Sequence, residues 1–308
     1  MKIILANPRG FCAGVERAIK CVEQALERYG APVYILNDIV HNSYIVRELR
    51  AKGAVFVKDL SEVPRGAHLL FSAHGVGPDR YELAEKHGMD VIDATCPLVE
   101  KVHNEARRFA AKGYSIVLIG EAGHDETVGT MGWALESIQR VMTAEDVALL
   151  EVKNPEKVAY ITQTTLSIED CQQVIDALRA KFPNIAAPAK ADICYATTNR
   201  QNAVNRLSPQ AELVLVVGDR ESANSNRLAA ICRAKGKPAY LISDAAQIDE
   251  SWLEGVETAL ITAGASAPEH LVEDVIAHLK SRGPCEIIES GGIEESVHFN
   301  LPAKLLET

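Results

Sequence analysis

Residues 6–18 read ANPRGFCAGVERA, between a short apolar run, KIILA (2–6), and a segment with apolar residues at Val15, Ile19, Val22, Leu26 and Tyr29. That spacing predicts one face of a helix. Asn7-Pro8 ends the preceding strand, so Cys12 stands at a strand-to-helix turn with Gly10 and Gly14 beside it. In open α/β sheets ligands bind beyond the carboxyl ends of the strands, where such turns lie. Strands are predicted at 2–6, 32–38, 68–73, 115–120, 158–162, 212–218, 238–243 and 258–262, with helical periodicity between them. LVLVVG and SIVLIG are continuous apolar runs, the pattern of strands buried on both faces. Gly30, Gly53, Gly113 and Gly236 each follow a helical pattern, as C′ glycines do. The expected class is α/β with mainly parallel sheets.

The Cys12 pattern recurs. Cys96 lies in DATCPLVEKVHNEA, where Pro97 suits a first helical position and Leu98, Val102 and Ala106 make a stripe. Cys194 lies in DICYATTNRQNAV. The three are separated by lengths of chain on the scale of a small domain. Cys21, Cys171 and Cys232 fall inside helical patterns and Cys285 in an expected strand, so those four read as buried apolar thiols. Spacing alone leaves two readings of Cys12, Cys96 and Cys194: one metal centre with an open position, or three separate buried thiols. A third reading makes Cys12 the nucleophile of a hydrolase, which leaves the other two without a role.

Polar turns follow the strands in each third of the chain: His41 in VHNSY and His74 in FSAHGVG; His124 and Glu126 in GEAGHDETVGTMG, then Thr164 and Thr165 in TQTTLS; Ser222 and Asn224 in GDRESANSNRL, then Ser266 in TAGASAPEH. Ser266, Pro268 and Glu269 form an S-x-x-E pattern, so Ser266 taken alone reads as a helix cap. No phosphate-loop and no G-x-G-x-x-G pattern occurs. The turns lack concentrated Lys and Arg, so a bound anion must be held by neutral donors, imidazolium and helix N-termini. The net charge of −10 argues against nucleic acid as a partner. Seven scattered cysteines without a C-x-x-C pair argue against a disulfide framework or a zinc finger. No apolar run reaches membrane length and KIILA is too short for a signal-peptide core, so a cytoplasmic protein with no membrane partner is expected.

In this order ANPRGFCAGVERA, VHN, FSAHG, DATCPLV, GHDE with GTMG, TQTTLS, DICYATTNRQ, SANSNRL and TAGASAP resemble the 4-hydroxy-3-methylbut-2-enyl diphosphate reductase family over essentially the whole chain. The resemblance implies three similar α/β domains arranged pseudo-threefold around an iron–sulfur cluster. The divisions it suggests are 14–96, 97–193, and 1–13 with 194–281, followed by a tail at 282–308. It implies the last step of the methylerythritol phosphate route to isoprenoids, in which an allylic alcohol diphosphate loses its hydroxyl as water to give isopentenyl and dimethylallyl diphosphates. By matching position, Cys12, Cys96 and Cys194 would hold a [4Fe–4S] cluster whose fourth iron takes the substrate hydroxyl. His41, His74, His124, Ser222, Asn224 and Ser266 would bind the diphosphate. Glu126 would supply protons, with Thr164 or Thr165 placing the substrate oxygen. Ferredoxin or flavodoxin is the implied electron donor. Two positions depart from the family pattern: Asp125 replaces the usual proline of GHPE, and Ala223 replaces a serine found in some members, leaving at most a backbone N–H contact there. An iron–sulfur sensor without turnover is the rival class, but a sensor needs no diphosphate cradle.

Overall fold

The computed structural model describes residues 1–306. β1 (Lys2–Leu5) leads through the Cys12 turn into α1 (Ala13–Tyr29). There follow β2 (Val33–Leu36), α2 (Ser43–Ala51), β3 (Ala54–Val57), β4 (His68–Phe71), α3 (Pro78–Lys86), β5 (Asp90–Asp93) and α4 (Pro97–Ala111). Next come β6 (Ser115–Ile119), α5 (Asp125–Gly132), β7 (Ile138–Val141), α6 (Ala144–Leu149), β8 (Val158–Thr162) and α7 (Ile168–Lys181). The last stretch holds α8 (Tyr195–Leu207), β9 (Leu213–Val217), α9 (Ala223–Ala234), β10 (Ala239–Ile242), β11 (Thr258–Ala263), α10 (Glu269–Ser281), β12 (Glu286–Glu289) and α11 (Ala303–Leu306).

The strands form three sheets, ordered β10-β9-β11-β1-β12, β3-β2-β4-β5 and β7-β6-β8, with every pairing parallel. The α/β expectation therefore holds. The chain parts into two compact units, one of residues 1–15, 41–45 and 195–298, the other of 16–40, 46–194 and 299–308. The first unit carries the five-stranded sheet, with apolar side chains packed on both of its faces. The second carries the other two sheets, each with its own core.

All eight predicted strands form. The four that periodicity does not announce, β3, β5, β7 and β12, are all edge strands. An edge strand is covered on fewer sides, so polar residues are tolerated and the apolar run is broken. β5 reads DVID and β7 reads IQRV, whereas central β9 reads LVLVV and is buried throughout. β12 lies in the stretch 282–308, the expected tail, and Glu286–Glu289 pairs with β1. Cys21, Cys171 and Cys232 are buried in helices as expected. Cys285 is a correction: it precedes β12 and is only half-buried, because an edge strand at this border shields it poorly.

Candidate active site

In the first unit the Cys12 turn is held from beneath by Arg200, a fully buried arginine of α8. Its guanidinium donates to the Gly10 carbonyl at 2.7 and 3.1 Å and pairs with Glu295 at 3.1 Å. Gly10 has φ +66°, and a Cβ there would stand 3.3 Å from the Ala267 carbonyl. The Cys12 N–H donates to the Ala265 carbonyl, and the Ala13 N–H to the Tyr195 hydroxyl. Burial pushes the Cys12 thiol up, while N–H groups of Val15 and Gly14 and the Arg200 charge pull it back toward thiolate.

The polar turns of this unit interlock. Ser266 does not cap α10; Pro268 occupies that position with no side-chain cap. The Ser266 hydroxyl donates instead to the His41 carbonyl at 3.0 Å, and Asn42 Nδ2 donates to the Ser266 carbonyl at 2.8 Å. A tertiary acceptor has displaced the local one. The Ser43 N–H donates to Asp219 Oδ2 at 2.8 Å. Burial alone would raise Asp219, but the N–H groups of Glu221 and Ser43 and the nearby His41 hold it below the usual carboxylate range.

Ser222 is the N-cap of α9. Its Oγ accepts from the Ser225 N–H at 3.3 Å and the Ser225 hydroxyl at 3.1 Å, so its own proton is left to donate outward. Ala223 and Asn224 open the helix, where N–H groups lack intrahelical acceptors. Asn224 is 4% exposed, yet among the described residues neither its Oδ1 nor its Nδ2 has a hydrogen-bond partner. Unpaired buried amides are rare because each costs stability. Sequence reasoning misses Ser225, which is fully buried against two strand-end glycines: a Cβ on Gly218 would lie 2.3 Å from the Ser225 Oγ and 2.7 Å from its Cβ. Gly218→Ala is expected to lower the unfolding free energy by about 1–3 kcal/mol, as a small-to-large change in a tight core does. A denaturant titration checks this.

In the second unit Cys96 is the N-cap of α4, with Pro97 at the first helical position as predicted, and its N–H donates to the Ala73 carbonyl. The Cys194 N–H donates to the Thr164 carbonyl at 3.1 Å. Thr164 in turn grips Glu126: its N–H donates to Oε1 at 2.6 Å and its hydroxyl to Oε2 at 3.0 Å. Glu126 is only 2% exposed. Burial, aided by the charges of Asp192 and Glu121, pushes its carboxyl up to about 7 against the pull of the Thr164 bonds. Thr164 holds Glu126, while the Thr165 hydroxyl accepts from Gln163 Nε2 at 3.0 Å.

His124 caps α5, its Nδ1 accepting the Glu126 N–H at 3.2 Å. Capping through Nδ1 leaves Nε2–H as the donor of the ring. The His74 ring stands edge-on to His124, centroids 5.9 Å apart, with its Nδ1 3.3 Å from the Ser72 Oγ and 3.9 Å from Asp125. Asp125, in place of the family's proline, also accepts from Asn37 Nδ2 at 3.2 Å. Its carboxylate is thereby engaged with Asn37 and His74. Gln163, also unanticipated, braces this edge by accepting from the Glu121 N–H and the Thr127 hydroxyl.

All seven cysteines are free thiols, and Cys12, Cys96 and Cys194 are half-buried where the helical ones are buried. Among the described residues no helix is long and apolar enough to cross a membrane.

A protein-family model described as "LytB protein" matches residues 3–280. The 4-hydroxy-3-methylbut-2-enyl diphosphate reductase of Azoarcus sp. (strain BH72) is 53% identical over 306 residues, 99% of this chain and 98% of that protein. The solved E-1-hydroxy-2-methyl-but-2-enyl-4-diphosphate reductase of Plasmodium falciparum superposes with a TM-score of 0.95 at 37% identity, covering 99% of this chain and 96% of that one. A second solved (E)-4-hydroxy-3-methyl-but-2-enyl diphosphate reductase, described as the terminal enzyme of the non-mevalonate pathway, matches with a TM-score of 0.65 at 33% identity, covering 91% of this chain and all of that one. A strand-to-helix thiol, a carboxyl gripped by a threonine and an unpaired amide at a helix start thus sit in a chain that, along nearly its whole length, belongs to the LytB protein family.

Proposed function

We propose that this chain reduces (E)-4-hydroxy-3-methylbut-2-enyl diphosphate to isopentenyl and dimethylallyl diphosphates, consuming two electrons and two protons and releasing water. The observation that carries the reading is Glu126: a buried carboxyl near pH neutrality in its titration, gripped at both oxygens by Thr164. A departing hydroxide needs a proton, and an acid that keeps its proton near neutral pH can give one.

The three half-buried thiols fit an iron–sulfur cluster. Thiolates are soft ligands suited to iron, and the N–H groups and guanidinium around Cys12 work against the burial that holds its thiol up. Cys12, Cys96 and Cys194 would hold a [4Fe–4S] cluster, which when bound supplies the electrons delivered by ferredoxin or flavodoxin. The diphosphate is assigned to His41, His74, His124, Ser222, Asn224 and Ser266 and to the Ala223 N–H. Ser222 donates its free proton, His124 its Nε2–H, and the start of α9 its unpaired N–H groups. Ser266 must exchange its bond to the His41 carbonyl for one to the ligand. Thr164 orients Glu126 and Thr165 lies beside it to place the substrate oxygen. We place this chemistry in the cytoplasm, where free thiols persist, and retain the division into domains at 14–96, 97–193 and 1–13 with 194–281.

Mössbauer spectra of anaerobically prepared, iron-57-labelled protein, with and without the allylic diphosphate, test the reading. One of four iron sites is expected to change when the ligand is added. A protein that takes up no cluster under anaerobic reconstitution would overturn it.

A further inference from the structure

Lys101 projects from the second turn of α4, the helix that Cys96 caps. Its ammonium donates to the carbonyls of Lys190 and Ala191 at 2.6 and 3.1 Å and to Asp192 Oδ1 at 2.6 Å. Those three residues are the approach to Cys194. The other oxygen of Asp192 accepts the Thr162 N–H at 2.9 Å, at the end of β8 and two residues before Thr164. The Asp192 side chain is fully buried. Glu105, one turn along α4 and 92% shielded, lies 3.8 Å from the Lys101 ammonium. Burial, with Asp192 beside it, pushes the Glu105 carboxyl up to about 7.

A fully buried carboxylate is costly even when a half-buried lysine pairs with it, so its presence invites a positional explanation. The loop 188–194 has no regular structure of its own. Lys101 spends all three of its donors on it, which ties the Cys194 backbone to the helix that starts at Cys96. Resting on the cluster reading above, we propose that Lys101 and Asp192 are positioning residues that fix the Cys194 thiol against the Cys96 thiol and the Thr164–Glu126 pair, and so govern how firmly the cluster is retained. Neither touches the reacting atoms.

The test compares reconstituted Lys101→Met and Lys101→Arg proteins with the unmodified one. Lys101→Met is expected to lose iron to a chelator about tenfold faster under anaerobic conditions. Lys101→Arg, which keeps the charge and donors, is expected to stay within about twofold. In cluster-free Lys101→Met protein, amide hydrogen exchange is expected to rise at 190–194 and not in the first unit. Should Lys101→Met fail to fold, Asp192→Asn is measured in its place with the same expectation. Unchanged iron retention, with or without faster exchange, overturns the proposal and leaves the clamp a purely structural tie. Absence of iron in the unmodified protein overturns the cluster assignment itself, a distinct result.

Discussion

Glu126→Gln is expected to lower turnover by about 10²- to 10⁴-fold while leaving the affinity for the allylic diphosphate within a few-fold. General acids contribute rate factors on that scale. The amide is nearly isosteric, and its oxygen can still accept the Thr164 N–H. The Thr164 hydroxyl can turn to accept from the new amide where it now donates to Oε2. Geometry is kept and the proton alone is lost. Steady-state kinetics under anaerobic reduction measure the first effect and ligand titration the second. Unchanged turnover would remove Glu126 from proton delivery.

The same residue carries a pH signature. Protonated Glu126 is the active form, so turnover should fall as pH rises through about 7, and the Gln variant should lack that limb. Stability follows with a definite sign. The carboxyl titrates near 7 when folded against an ordinary 4.5, so the folded protein binds the extra proton between those values. Its contribution to stability is complete below about pH 4.5 and is lost as pH rises through 7. Glu126→Gln escapes that loss. Its stability relative to the unmodified chain should therefore grow between pH 4.5 and 8, by an amount on the order of 3 kcal/mol. Denaturant unfolding at the two pH values checks it.

Local signals reach as far as local physics does. LVLVV announces a central strand, and Pro97 announces the start of the helix that Cys96 caps, because burial on both faces and a missing N–H act within a few residues. The supports of the site are another matter. Arg200 reaches Gly10 across 190 residues, and Asp192 reads Thr162 and Lys101 through backbone that no periodicity describes. Such partners are set by topology, and a buried arginine or aspartate looks in sequence like any solvated charge. Ser266 shows the converse: its S-x-x-E pattern is a sound local signal, overridden by a carbonyl 225 residues away. His124 is legible as a candidate site residue but not as the cap of α5, which depends on the one N–H that its ring nitrogen accepts.

Asn224→Leu should separate stability from function. The native amide is buried with both polar atoms unpaired, a cost of about 1–3 kcal/mol for each unmet group. Leucine has nearly the same shape and no polar atoms. The ligand-free variant should therefore unfold at higher denaturant, by about 1–3 kcal/mol, a gain of the kind available where a binding site is kept at the expense of stability. The diphosphate should bind about 10- to 100-fold more weakly, the worth of a hydrogen bond to a charged oxygen. The two shifts must appear together, because both come from removing one unpaired amide. A variant that is less stable than the unmodified chain would show that the amide is satisfied within the protein. A variant that binds the diphosphate normally would take Asn224 out of the cradle and leave Ser222 and the first N–H groups of α9 to hold the anion.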